Sequence, residues 1–158
     1  MITVKQCAAE DCDLWIRLNR EFMAFEIKDD ELWGGADQAS DEAFQRDFQY
    51  ALDNPQKITL MMIESDGEIV GFANLPSIVS IWAHGRALII DDLYIREKYR
   101  GHGFGREALD QIEKFAWAQG FARLQFQSEK TNPAARAFYE SQGYSPAEMY
   151  FYVKYPEQ

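Results

Sequence analysis

The stretch Ala87–Arg106, ALIIDDLYIREKYRGHGFGR, decides how the rest of the chain is read. Its first nine residues, Ala87–Ile95, are apolar except for Asp91 and Asp92, and they read as one central strand. From Gly103 to Gln119, Leu109, Ile112 and Ala116 recur at helical spacing, and Gly120 supplies a C-terminal stop. Between strand and helix lies Arg100-Gly101-His102-Gly103-Phe104-Gly105-Arg106. A helix start leaves four N–H groups without intrahelical partners and carries the positive end of the dipole. Glycines there permit positive φ and let a ligand approach the backbone. Arg96, Lys98, Arg100 and Arg106 gather at the same place in an otherwise acidic chain, so the turn reads as an anion cradle. Two familiar phosphate binders are excluded by spelling. A P-loop needs Gly-Lys-Ser/Thr where Gly105 precedes Arg106-Glu107, and a dinucleotide fingerprint needs glycine at position 106. The glycines by themselves also fit a tight turn that binds nothing.

Outward from this segment, periodicity sorts the chain. Ile2–Gln6 alternates as a strand, and Ala9–Phe25 places Leu14, Leu18, Phe22 and Phe25 on one helical face. Asp29-Asp30-Glu31 and Gly34-Gly35 read as a loop. Ser40 opens a second helix that carries Phe44, Phe48 and Leu52 and ends at Asn54-Pro55. Ile58–Ile63 and Ile69–Leu75 are strand-like, and Asp66-Gly67 between them signals a hairpin. Pro76–Arg86 reads as a loop and Phe121–Gln127 as a strand. Asn132-Pro133 starts a helix that Gly143 stops, and the aromatic Tyr144–Tyr155 reads as β. The order β-α-α-β-β-β-α-β-α-β predicts one α/β domain over residues 1–158.

Composition bounds the function. The chain has 158 residues, 47% hydrophobic, with 11 Phe, 8 Tyr and 4 Trp, which excludes a disordered chain. A formal net charge of −10 argues against nucleic acid and against anionic membranes. No apolar run is long enough to span a bilayer, and the N-terminus has no basic-then-apolar signal pattern. Two cysteines, Cys7 and Cys12, read as reduced and structural, which suits the cytoplasm. With only His84 and His102, a Cys/His metal site lacks ligands, so no metal is expected. Acidity either keeps the protein soluble or attracts a cationic partner.

Arg100-x-x-Gly103-x-Gly105 resembles the acetyl-CoA signature of the GNAT N-acetyltransferases, Gln/Arg-x-x-Gly-x-Gly/Ala. Leu93-Tyr94-Ile95-Arg96-Glu97-Lys98-Tyr99 is similar to that family's Leu-x-Val-x-Pro-x-Tyr lead-in, with Glu97 where proline is common. Downstream, Asn132-Pro133-Ala134-Ala135-Arg136-Ala137-Phe138-Tyr139 followed by Gly143-Tyr144 resembles the family's second motif. The segment from Ile89 to Gly105 is most similar to the diamine and polyamine branch. The resemblance implies a single GNAT-like α/β domain, with a mixed sheet of about six to seven strands and helices on both faces. It implies acetyl transfer from acetyl-CoA to a primary amine, without a metal.

The resemblance also implies residue roles. Backbone groups of Leu93, Tyr94 and Ile95 pair with the pantetheine arm, and the Ile95 N–H polarises the thioester carbonyl. Arg100, Gly101, His102, Gly103, Phe104, Gly105 and Arg106 hold the pyrophosphate. Asn132 reaches the end of pantetheine, while Ala135 and Phe138 pack along it; a plain helix cap is the other reading of Asn132. Tyr139 matches the general acid that protonates the leaving thiolate. Asp91 matches a candidate base of the polyamine branch, with Asp92, one register step away, or a chain of waters as the alternatives. Neighbours on a strand point to opposite faces, so Asp92 is expected to be structural, bonded to a helix terminus or loop.

Residues 1–60 hold 13 acids against 6 bases, so half of the 26 acids lie in the first 60 positions. In the family this region borders the acceptor, so a small cationic amine is the expected substrate and Asp29-Asp30-Glu31 a candidate attractor. Trp33 and Trp82 could line the pocket by cation–π contact or simply pack at an edge. An aminoglycoside, a protein N-terminus or lysine as acceptor remain alternatives, as does a non-catalytic acyl-CoA-binding module. A homodimer is expected, with the aromatic tail at the interface or completing the sheet.

Overall fold

Two apolar periods, one of two residues and one near 3.6, build the layers of this chain. The computed structural model describes residues 1–27, 30–130 and 132–157. The chain divides into two compact units, Met1–Gln125 and Phe126–Gln158. A six-stranded sheet comprises β1 (Thr3–Gln6), β2 (Ile58–Ser65), β3 (Glu68–Ser80), β4 (Gly85–Ile90), β5 (Asp92–Ile95) and β6 (Arg123–Phe126). The strand order is β1-β2-β3-β4-β6, with β5 attached to β3. The pairings β1–β2, β2–β3, β3–β4 and β3–β5 are antiparallel. The helices are α1 (Cys12–Glu26), α2 (Asp30–Trp33), α3 (Asp41–Asp53), α4 (Phe104–Ala118) and α5 (Pro133–Ser141). None of the described helices is long and apolar enough to cross a membrane.

In the first unit, helices cover both faces of the sheet. Trp15 and Leu18 of α1 and Phe44 and Phe48 of α3 pack with Leu60, Met62, Phe72 and Tyr94. On the other face Ala108 of α4 packs with Ile2, Ile63 and Val70, joined by Leu93, Ile95 and Phe104. Tyr94 thus faces one layer and its neighbours Leu93 and Ile95 the other, as a strand period of two requires. Cys7 and Cys12 are both free thiols, and burial pushes Cys7 up to about 12, which makes it inert.

Local signals place several boundaries. Ser40 Oγ accepts from Ala43 N at 3.2 Å and caps α3. Asp66 (φ 50°) and Gly67 (φ 80°) form the two-residue turn between β2 and β3. The edge of β1 is bonded by side chains of α4: Ile2 N donates to Glu107 Oε2 (2.9 Å), Val4 N to Gln111 Oε1 (2.8 Å), and Gln111 Nε2 to Ile2 O (2.9 Å).

Three expectations are corrected. Pro76–Arg86 is not a loop: β3 continues to Ser80 and β4 starts at Gly85, with Ile78 paired to Ala87 and Val79 to Arg86. The turn narrows to residues 81–84, where His84 adopts φ 54°. Ala87–Ile95 is not one strand. Asn74 pairs with Asp92 and Ser77 with Leu88, so two residues of β3 face three of its partner, and the extra residue makes a β-bulge ending at Asp91. Tyr144–Tyr155 forms no strand; its side chains Met149, Tyr150 and Tyr152 are exposed, and without a partner strand β propensity does not express itself.

Gly71 pairs with Ile95 and faces the β5 backbone. A Cβ there would lie 2.1 Å from the Tyr94 carbonyl oxygen and 3.1 Å from Ile95 Cδ1. Backbone cannot yield as a side chain can. Gly71→Ala is expected to destabilise the fold by more than about 3 kcal/mol in urea unfolding. A variant within about 1 kcal/mol of the parent would show that β3 and β5 are less tightly apposed.

Candidate functional site

The first unit carries a strand edge, a glycine turn and a carboxylate pair close together in sequence. Arg96 N donates to Val70 O at 2.9 Å, which sets the phase of the β3–β5 ladder. Bonded pairs alternate along an antiparallel ladder, so Tyr94 turns its peptide groups to β3, while Leu93 and Ile95 turn theirs to the opposite edge. Among the described residues no strand pairs with that edge of β5. The Ile95 carbonyl accepts from Arg100 Nε at 2.9 Å, while the Ile95 N–H has no strand partner.

A single 3₁₀ turn, Glu97–Tyr99, leads into Gly101 (φ 80°) and Gly103 (φ 79°). A Cβ at either glycine would meet nothing within 4 Å, so positive φ, not crowding, requires glycine, and the space before the turn is open. Glu107 N bonds Gly103 O at 3.1 Å, so the N–H groups of Phe104, Gly105 and Arg106 precede the first intrahelical bond. His102 Nδ1 lies 2.9 Å from Arg100 O and 3.1 Å from Tyr99 O, and its ring stacks on Phe104 at 5.5 Å. The imidazole braces the turn. An open strand edge followed by an open helix start suits an extended amide chain ending in a diphosphate, so these residues fit acetyl-CoA.

The four basic side chains are not all free for an anion. Arg96 Nε lies 3.3 Å from Glu21 Oε1, which also accepts from Tyr94 Oη at 3.0 Å. The Lys98 ammonium sits 4.6 Å from the Tyr99 ring centre. The Arg100 guanidinium stacks over Phe25 at 4.6 Å and Tyr94 at 5.5 Å. Arg106 is exposed on the first turn of α4.

The bulge sets Asp91 and Asp92 against one partner residue, Asp91 by its main chain and Asp92 by its carboxylate. Asp91 N donates to Asn74 O at 3.1 Å, and Asn74 Nδ2 donates to Asp92 Oδ2 at 2.8 Å. Asp91 reaches solvent on one side, and the protein around the rest of its carboxyl raises its pKa. Asp92 is half-buried, and desolvation pushes it up to about 6 against the Asn74 hydrogen bond. Asp92 is bonded to a strand residue, not to the helix terminus or loop expected from sequence. The residues that sequence reasoning missed are Asn74, Asn19 and Trp15, which bond one another beneath Asp92. Their signal was a polar residue inside the apolar run 71–75 and an asparagine four residues after Trp15 on the buried face of α1.

The second unit carries the other motif. Asn132 Oδ1 accepts from Ala135 N at 3.1 Å and caps α5, with Pro133 in its first turn. Ala135, Phe138 and Tyr139 are half-buried on that helix. The Tyr139 ring lies 4.5 Å from Phe126 and 5.3 Å from Phe138, and burial raises its phenol above the usual value. Of the acidic run, Asp29 lies outside the described residues, and Asp30 and Glu31 begin α2 where a loop was expected. Trp33 ends that helix, and Trp82 is 93% exposed at the β3–β4 turn.

Because Asp92 binds its proton more tightly folded than unfolded, its penalty is absent below pH 4 and grows as pH rises through about 6. Asp92→Asn removes it. The variant is therefore expected to melt about 3 °C or more above the parent at pH 8, with the gap closing towards pH 4. A gap that does not depend on pH would refute the buried-charge account.

Comparison with known proteins agrees with this geometry. The Acetyltransferase (GNAT) family model matches residues 15–144. An uncharacterized N-acetyltransferase of Bacillus subtilis (strain 168), YhfO, is 32% identical over 111 residues, covering 68% of this chain and 72% of that protein. The thialysine N-epsilon-acetyltransferase of Bos taurus is 23% identical over 147 residues, covering 90% of this chain and 83% of that protein. Among solved structures, a possible acetyltransferase from Clostridium difficile 630 shares the fold with a TM-score of 0.77 at 18% identity, covering 100% of this chain and 99% of that one. An open β5 edge, a glycine turn feeding α4 and a family match across most of the chain lead to one conclusion: this chain belongs to the GNAT acetyltransferase family and is an acetyl-CoA-dependent acyltransferase.

Proposed function

We propose that the protein moves the acetyl group of acetyl-CoA to a primary amine of a small cationic molecule of the diamine or polyamine class. The observation that carries this reading is the carboxylate pair Asp91 and Asp92 at the bulge, on the strand whose open edge presents the Ile95 N–H. A proton acceptor and a thioester-polarising donor then lie four residues apart in sequence. That the Bos taurus relative is a thialysine N-epsilon-acetyltransferase favours an amine acceptor here.

Acetyl-CoA supplies an activated acyl thioester. Leu93 and Ile95 would bind its pantetheine arm on the open edge, with the Ile95 N–H stabilising charge on the thioester oxygen as it develops; Tyr94, expected from the motif to share that role, instead turns its peptide groups to β3 and would hold the strand in place. Arg100, Gly101, His102, Gly103, Phe104, Gly105 and Arg106 would hold the diphosphate, chiefly through backbone N–H groups. Asn132, Ala135 and Phe138 would hold the far end of pantetheine, a role carried by motif position. Asp91, which reaches solvent, would take the proton of the incoming ammonium so that the nitrogen lone pair can attack. Asp92 is the second reading for this base, favoured by a carboxyl near 6 and a fixed hydrogen bond. Tyr139, protonated throughout the neutral range, would give its proton to the departing thiolate. The family match runs from residue 15 to 144 and includes both units, which supports a single working domain. The exposed tail Met149, Tyr150 and Tyr152 supports a homodimer.

Thiol release from acetyl-CoA with a panel of diamines, polyamines, aminoglycosides and lysine peptides tests the substrate class. Small cationic amines are expected to give the highest kcat/KM, and a preference for peptides or aminoglycosides would overturn it. Tyr139→Phe is expected to lower kcat about 10²-fold with KM for acetyl-CoA little changed. An unchanged kcat would remove Tyr139 from the acid role.

A further inference from the structure

Three neutral polar side chains are buried where α1 packs on β3: Trp15 at 5% exposure, Asn19 at 2% and Asn74 at 8%. Burying such groups is costly unless each is bonded, and an apolar trio would fill the same space. Here the bonds form a directed chain. Trp15 Nε1 can only donate, and it lies 2.9 Å from Asn74 Oδ1. The Asn74 oxygen must therefore face Trp15, and its NH₂ group must face the other way. One of those hydrogens goes to Asn19 Oδ1 at 2.9 Å and the other to Asp92 Oδ2 at 2.8 Å. Asn19 is held in turn, because its Nδ2 donates to the Trp15 carbonyl at 2.8 Å. No amide in the chain can flip without breaking a buried bond.

We propose that Asn74, locked by Trp15 and Asn19, is a positioning residue that fixes the Asp92 carboxylate and thereby governs the protonation of the pair Asp92 forms with Asp91. This rests on the reading of that pair as the proton acceptor. The bulge is what makes the arrangement possible. It sets two acidic residues against one residue of β3, so the Asn74 amide holds the carboxylate of Asp92 while Asp91 is held by its main chain and is exposed. The Asn74 backbone carbonyl also accepts from the Asp91 N–H, so main chain and side chain of one residue fix Asp91 and Asp92 in turn. Among the described residues the charged group acting on Asp92 is Asp91; β3 turns neutral Asn74 towards it, and α1 holds Asn74 from behind through neutral Trp15 and Asn19. When the pair takes a proton, the N–H bond of the ammonium breaks and an O–H bond forms on a carboxyl oxygen. The lone pair stays on nitrogen for attack on the acyl carbon.

The test compares Asn74→Leu with the parent by two readouts. The first is the pH titration of the Asp91 and Asp92 carboxyl carbons by NMR. The second is the pH dependence of kcat/KM for the best amine. Losing the donor is expected to raise the upper midpoint of the pair by about one pH unit. The acid limb of kcat/KM should move with it, which costs about tenfold well below the midpoint. A merely structural role would lower the rate at every pH and leave the midpoint in place. Since Asn74→Leu orphans buried partners, Trp15→Phe is run beside it. That change keeps Asn74 and removes the orienting N–H, with loss of some core volume that lowers stability at every pH, and a smaller midpoint shift in the same direction is expected. A folded variant of either kind whose carboxyls titrate as the parent's do overturns the proposal. A carboxyl midpoint that moves while the acid limb stays still refutes the pair as proton acceptor instead, and Asn74 then holds Asp92 for the fold alone.

Discussion

The carbonyl of Asn74 accepts from Asp91 while Asp92 stands as its register partner, so two residues of one strand answer to one of its neighbour. The layout of the first unit follows from that mismatch. Before it, β4 runs beside β3 with β6 as its other neighbour; after it, β5 keeps β3 but has no strand on its far side among the described residues. An unbulged strand from Gly85 to Ile95 would keep one register throughout and place Asp91 and Asp92 on opposite faces. The extra residue instead breaks the strand just before the segment whose peptide groups are left available, and it bonds the Asp91 main chain and the Asp92 carboxylate to the same Asn74.

Around that point the core divides by chemistry. The layer under α1 and α3 is aromatic, with Trp15 against Phe48 at 5.4 Å and Phe22 against Tyr94 at 5.0 Å. Into it is set one bonded polar chain that surfaces at Asp92. The aromatic contacts give rigidity, and the polar chain fixes orientation, since hydrogen bonds are directional where apolar contacts are not. Glu21 acts in a similar way further along α1, where a single carboxylate oxygen meets both the Tyr94 hydroxyl and Arg96. Both ends of β5 are thus tied to the same helix.

What could be read from sequence was local. Asp66-Gly67, Ser40, Gly103 and Asn132-Pro133 each act within a few residues, and each lies where a turn or cap was expected. The glycine turn and the helix after it were legible for the same reason. The bulge was not, because register depends on a partner on another strand, and one residue more or less leaves no mark on periodicity. Residues 76–86 misled because Pro76, Ser77, Ser80 and Gly85 are residue types that loops favour, whereas Ile78 and Val79 pair across to β4. Tyr144–Tyr155 misled in the opposite sense, since aromatic content predicts a strand only where a neighbour exists to receive it. The buried trio Trp15, Asn19 and Asn74 belongs to a helix and a strand that meet only after folding.

The side-chain clamp on β1 has a consequence for the behaviour of the protein in a crowded solution. An outermost strand normally offers its unbonded amides to any passing chain, and sheets grow into aggregates from such borders. Glu107 and Gln111 answer the amides of Ile2 and Val4 and the carbonyl of Ile2 from within the same molecule. The first part of that border is covered by the helix whose first turn grows out of the glycine loop. A chain at high concentration is thereby denied a docking strip on that side, and the protection is lost if α4 unwinds.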